Sequence, residues 1–249
     1  MITSMHLVAA NTIEKVNNSI YGAAQMTGLD YVEYNSTRSD EDQQTGFLWG
    51  GKLGSTTTIY NIYLNLDMYS TIGKTQYKGG LENSPNATIF HHATNNINNI
   101  DAKLGYSFYM NNNAIALTPF TMFGYRYWKR RSNESENPEI YTTMYLSAGL
   151  LFQYKLATAF VLNITGTAGS TINPKINNTR DNNLYRQGES GIFSASINLN
   201  YFITESLSIL SGVEGVYFKY KKSNTVNGDD EPDSTTKQLN AYLGLSYSF

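Results

Sequence analysis

The chain has 249 residues, a formal net charge of −2, 20 Tyr, 20 Gly and no Cys. Charged residues make up 15%, against roughly 25% in ordinary soluble domains. These figures exclude disulfides and thiol catalysis, and they give no general attraction for nucleic acid. The length suits one large domain or two small ones. No window reaches the roughly 18 apolar residues that a helix needs to cross a bilayer.

At the N-terminus, Met1–Ala10 lacks a basic region, and Leu7-Val8-Ala9-Ala10 is too short for a secretory leader. Either a leader lies before this numbering or export follows another route. Asn11 and Glu14 have the spacing of a helix-start box, and Ile13, Val16, Ile20 and Ala24 share one helical face. The spacing predicts a short amphipathic helix over Asn11–Ala24, within a segment 1–28 that precedes a main domain 29–249. A plug, a cap, a linker end and a frayed terminus all remain open for it.

From Tyr31 onward the period is two, the mark of strands. Tyr31–Asn35 and Phe47–Leu53 come first. In the next run Tyr60, Ile62, Leu64, Leu66 and Met68 alternate with Asn61, Tyr63, Asn65 and Asp67. Ala102, Leu104, Tyr106 and Phe108 alternate with Asp101, Lys103, Gly105 and Ser107. Leu117–Tyr127, Met144–Phe152, Phe160–Ala168, Ile192–Tyr201 and Leu207–Tyr217 continue the pattern. The last run sets Leu239, Ala241, Leu243, Leu245, Tyr247 and Phe249 on one face. Gly50-Gly51-Lys52-Leu53-Gly54 lies inside an alternating run and lacks phosphate-loop spacing.

About ten strands result. Short connections fall near Gly54–Thr58, Asn111–Asn113, Tyr154–Thr158 and Thr204–Ser206. Long polar ones cover Ser36–Gln44, Gly79–Asn99, Lys129–Glu139, Ile172–Gly191 and Lys221–Thr236. Short turns at one end and long loops at the other, with both termini on the short side, predict an all-β fold: a closed, antiparallel, up-and-down transmembrane β-barrel. A soluble sandwich also alternates, but its wet face would be rich in Lys and Glu. Here the non-apolar face is Asn, Ser, Thr, Gly and Tyr with isolated charges, as a confined lumen requires. Aromatics near strand ends (Trp49, Tyr60, Tyr125, Tyr127, Tyr201, Tyr217, Tyr247) suit the two membrane interfaces.

The ending Leu243-Gly244-Leu245-Ser246-Tyr247-Ser248-Phe249 resembles the C-terminal signature of Gram-negative outer-membrane barrels. That resemblance implies an outer-membrane location and recognition of Leu245, Tyr247 and Phe249 by the barrel-assembly machinery. The layout resembles small barrels of the opacity-protein or omptin size class. It is also similar, less closely, to autotransporter translocator domains, which usually have twelve strands. Omptin proteases use an acidic pair and a His–Asp pair at the barrel rim. His91 or His92 could meet Asp40 or Asp42 across adjacent loops, but the family's motif does not match residue by residue. His6 lies ahead of the barrel, and no strand brings a His near a Ser.

Two sets of residues are expected to matter. Glu33, Lys52, Asp67, Asp101, Lys103, Arg126 and Glu214 fall on the lumen face, with bulky Tyr63, Tyr69, Tyr109 and Tyr145 beside them. They form either an internal ion-pair network that fixes a plugged barrel or a narrow solute path. At the rim, Lys129, Arg130, Arg131, Lys221 and Lys222 follow interfacial aromatics and are candidates for lipopolysaccharide phosphates. No cofactor or metal site is expected. Asp229-Asp230-Glu231-Pro232-Asp233 is read as a solvated loop. The reading is a non-enzymatic barrel with structural or surface-interaction duties. Expected partners are outer-membrane lipid, lipopolysaccharide and a host or surface ligand at the loops. A narrow channel and an omptin-like or lipid-modifying enzyme are the alternatives.

Overall fold

The computed structural model describes residues 12–34, 42–81, 84–131, 137–179 and 182–249. One helix, α1 (Thr12–Val16), precedes twelve strand segments. These are β1 (Ser19–Tyr34), β2 (Asp42–Ile59), β3 (Ile62–Leu81), β4 (Ser84–Tyr106), β5 (Phe108–Met110), β6 (Ile115–Arg131), β7 (Glu139–Ala157), β8 (Phe160–Asn178), β9 (Asn183–Gly188), β10 (Gly191–Phe202), β11 (Leu207–Ser223) and β12 (Asp233–Ser248). Neighbours pair antiparallel in chain order, and β12 returns to β1, Ser248 opposite Ser19. The ring therefore closes with no free edge, as lipid demands.

Two of the twelve segments are continuations. Gly105↔Phe120 and Phe108↔Leu117 lie on one register, so β4 and β5 are a single stave interrupted at Ser107. Lys175↔Arg186 and Gly191↔Ser170 likewise share one register, so β9 and β10 are a single stave interrupted at Glu189-Ser190. Twelve segments less two continuations give ten staves, the number expected from the alternation.

Alternation sorts the side chains into two environments. Outward residues make an uncovered apolar belt: Phe47 is 61% exposed, Trp49 64%, Ile197 58% and Leu243 61%. Inward residues are polar or aromatic and buried, among them Gln25, Thr27, Asn65, Tyr69 and Gln153. A water-soluble protein does not leave so much continuous apolar surface in water. The belt is the face that meets hydrocarbon.

The short-turn end holds tight hairpins. Tyr60 and Asn61 have φ of 50° and 67°, the left-handed pair required by a two-residue turn that follows strand twist. The other end is taller than the alternation predicted. Gly79–Asn99, expected as a loop, is mostly strand, since β3 runs to Leu81 and β4 resumes at Ser84. Ile172–Gly191 is largely β8 and β9. β3 has 20 residues, whereas a tilted span needs about 9–11. The surplus projects beyond the bilayer, where outward Lys74, Gln76, Lys78 and His92 are exposed to water. Ladder hydrogen bonds do not need an apolar face, so these polar stretches pair as well as the belt does.

The helix is also shorter than expected. α1 ends at Val16, and Ile20 and Ala24 belong to β1, whose first residue is Ser19. The barrel therefore starts well before residue 29. Ile20 and Ala24 fit a helical face and the outward face of a strand equally well. Sixteen pairings to β12 decide for the strand.

Candidate functional site

The lumen is filled in layers. At the short-turn end α1 sits in the barrel mouth: Ile13 is fully buried against Ala116 and Val161, with Val16, Tyr109 and Phe202 around them. The Thr12 hydroxyl donates to the Thr158 carbonyl at 3.2 Å. Asn17 and Gln153 exchange amide hydrogen bonds of 2.8 and 2.9 Å. The ladder continues from Gln153 to Asn163 at 2.9 Å and from Asn163 to Asn200 at 3.0 Å. Of the open readings for the helix, the geometry is that of a plug.

Above it lies a cavity of about 120 Å³ faced by Lys52, Asp67, Asp101, Lys103 and Glu214. Lys103 Nζ meets Asp67 Oδ2 at 3.0 Å, and Asp67 also accepts from Tyr21 and Asn65. Asp101 accepts from the Tyr145 hydroxyl and from Asn99 Nδ2 at 2.8 Å. Asn240 donates to Glu214 at 3.2 Å, and the Lys52 ammonium lies 4.6 Å from the centre of the Tyr242 ring. Phenols and amides do most of the pairing here; among these five groups, Lys103–Asp67 is the ion pair within 4 Å.

The seven charges expected to form one network fall into three places. Arg126 is buried higher up. Its Nη1 donates to Gln238 Oε1 at 2.7 Å, its guanidinium lies 4.6 Å from the Phe218 ring centre, and its Nε and Nη2 have no partner among the described residues. Glu33 lies at the long-loop mouth, far along β1 from the cavity.

Between Arg126 and the mouth an aromatic cluster packs across the lumen. Trp128 stacks on Tyr141 at 4.6 Å and meets the edge of Tyr31 at 5.2 Å. Leu29, Leu48, Tyr69, Ile97, Ile176 and Tyr185 complete that cluster, and Trp128 Nε1 donates to Asn95 Oδ1 at 2.8 Å. On top of it Arg130 Nη2 lies 2.6 Å from Glu139 and 3.3 Å from Glu33. Its guanidinium is 5.0 Å from the Tyr31 ring centre and 5.4 Å from that of Tyr141. Glu231, on the connection between β11 and β12, has its carboxyl pushed up to about 8 by burial, with Glu33 and Glu139 adding repulsion.

This corrects the rim assignment. Arg130 faces inward and is spoken for, because β6 sends its even-numbered residues into the lumen. Lys129 and Arg131 face outward on β6, whereas Lys221 and Lys222 lie on β11 with β7, β8 and the β9–β10 stave between them. Lys222 also pairs with Asp230 at 2.8 Å. The outward bases thus form two separate patches, one on each of the two rim segments.

The expected His–Asp approach takes a different form. His91 points inward and packs tilted against the Tyr77 ring at 4.4 Å, and Tyr77 hydrogen-bonds Asp42. His92 points outward and is exposed. His6 and Asp40 lie outside the described residues. Among the described residues no three His, Asp or Glu groups gather as metal ligands.

The architecture is a closed ring of ten antiparallel staves with an apolar outer belt and a packed polar lumen. The outer-membrane protease OmpT from Escherichia coli is similar to it, with a TM-score of 0.57 over 94% of this chain and 98% of that one at 12% identity. The fold is that of a bacterial outer-membrane β-barrel. Looser likenesses include the translocator domain of autotransporter NalP from Neisseria meningitidis, with a TM-score of 0.48 at 11% identity over 93% of this chain and 88% of that one. Ail, the attachment invasion locus protein of Yersinia pestis, gives 0.34 at 12% identity, covering 94% and 99% respectively. No protein-family model and no curated protein matches the chain. Fold and belt together put the protein in the outer membrane.

Proposed function

We propose that this is a sealed, non-enzymatic outer-membrane barrel that works through its long-loop rim, in a structural or surface-recognition role. The observation that carries the reading is the stack of closures along the lumen: α1 below, the Trp128–Tyr141–Tyr31 plug above, and Arg130 clamped between Glu33 and Glu139 at the mouth. A continuous water path through those layers would need several buried groups to leave their partners. The likeness to OmpT extends to the fold, and a proteolytic role lacks support from His91, which rests on a tyrosine ring rather than on a carboxylate. Leu245, Tyr247 and Phe249 all face lipid, in keeping with a role as the assembly signal.

Planar-bilayer recording tests the reading. The purified barrel should insert without steady single-channel conductance at neutral pH, and peptide mixtures incubated with it should stay intact. Stable unitary currents would replace this reading with the narrow channel, and specific cleavage would replace it with the protease.

A further inference from the structure

On the outer wall, where the belt gives way to water at the long-loop end, the surface is indented. β1 contributes Gly28 there, between the outward side chains of Phe47 on β2 and Leu239 on β12. Gly28 lies in an open recess of about 750 Å³ whose exposed lining is mainly apolar. A Cβ added at Gly28 would lie 3.6 Å from the Phe47 ring and 3.8 Å from the Leu239 carbonyl. These are ordinary contacts, so no atom of the protein occupies that space. Lys74, Lys237 and His92 ring the recess on its watery side.

Apolar floor below and bases above is the order in which a phosphorylated lipid presents itself at an interface: chains toward the belt, phosphate toward the solvent. Asp30 also borders the recess, but its contact with Lys237 Nζ is 3.9 Å long and solvent-exposed. Exposed pairs of this kind hold weakly, so the ammonium can turn to a phosphate. We propose that this recess binds one phosphate-bearing lipid of the outer leaflet, its phosphate on Lys74 and Lys237 and its chains against Phe47 and Leu239. The site lies on β12, β1, β2, β3 and β4, apart from the outward bases of β6.

The test is native mass spectrometry of the detergent-solubilised barrel with three probes: a phosphorylated lipid A, the same lipid with its phosphates removed, and inorganic phosphate. The phosphorylated lipid should bind one to one, and the dephosphorylated lipid and free phosphate at least about tenfold more weakly. Lys74→Ala with Lys237→Ala should lower lipid occupancy about tenfold. Gly28→Leu, which sets a side chain into the recess at the Phe47–Leu239 contact without crowding the backbone, should do the same. A heat-sensitive gel shift confirms that each variant is folded. Equal binding of the dephosphorylated lipid would overturn the proposal, as would binding of free phosphate as strong as that of the lipid. Unchanged lipid occupancy in folded Gly28→Leu would overturn it as well, and so would a dimer of the chain that Gly28→Leu abolishes.

Discussion

Arg130 donates to Glu139 through two nitrogens, Nε at 2.8 Å and Nη2 at 2.6 Å, while the same Nη2 reaches Glu33 from the opposite wall. One guanidinium thus ties β6 to its neighbour β7 and, across the mouth, to β1. Removing it leaves two carboxylates facing each other over an aromatic floor.

Arg130→Met should therefore destabilise the barrel by roughly 3–5 kcal/mol, the usual cost of stripping one partner from a buried ion pair. Lys129→Met, next in sequence but pointing outward, should change stability by less than about 0.5 kcal/mol. Urea unfolding in micelles, followed by the fluorescence of buried Trp128, separates the two. Equal effects would mean that the clamp contributes nothing.

Glu231 gives the mouth a pH dependence. Its carboxyl is held near 8 in the folded loop, well above the ordinary value of 4.5. A raised carboxyl pKa means that the folded loop favours the protonated form. The stabilisation is complete below about pH 4.5 and fades as pH rises through 8. Ser223 and Glu231 are joined by two hydrogen bonds, both 2.9 Å, so their amides report the docking. Hydrogen-exchange protection at these amides should fall between pH 5 and about pH 8.5, and Glu231→Gln should flatten that fall. A wild-type profile as flat as the variant's would contradict the placement of Glu231.

At the other end Ile13 is the buried apolar anchor of the plug. Ile13→Glu puts a charge against Ala116 and Val161 and should unseat α1 without opening the barrel wall. The chain has no cysteine, so Ala116→Cys can act as a single reporter. A maleimide should label it slowly in the otherwise native protein and at least about tenfold faster when Ile13→Glu is added. Fast labelling in both would show that α1 does not rest there.

The staves and their facing were legible because apolar and polar residues alternate wherever a strand separates lipid from lumen. Leu239, Leu243 and Tyr247 point outward as that pattern requires. The signal fails above the bilayer. Asn95 is buried in the lumen and Asn96 lies on the outer wall, yet both are polar, so a true strand reads as a loop. Arg130 was within reach of the same parity. Arg126, Trp128 and Arg130 share a face of β6, so once Arg126 is assigned to the lumen the other two follow, and with them the aromatic plug. What the sequence could not convey is distance around the ring: Lys129 and Lys221 look alike in their local sequence, but three staves separate them. The recess at Gly28 was hidden for the same reason, since it is assembled from five segments.

In a membrane-spanning barrel Leu243 touches acyl chains while its neighbour Tyr242 faces the lumen. Nitroxide labels on single cysteines at positions 243 and 219, in barrels reconstituted into bilayers, test that most directly. The label at Leu243 should relax with dissolved oxygen and ignore a water-soluble nickel chelate; the label at Lys219 should do the reverse. A chelate-accessible label at 243 in the folded barrel would contradict the account.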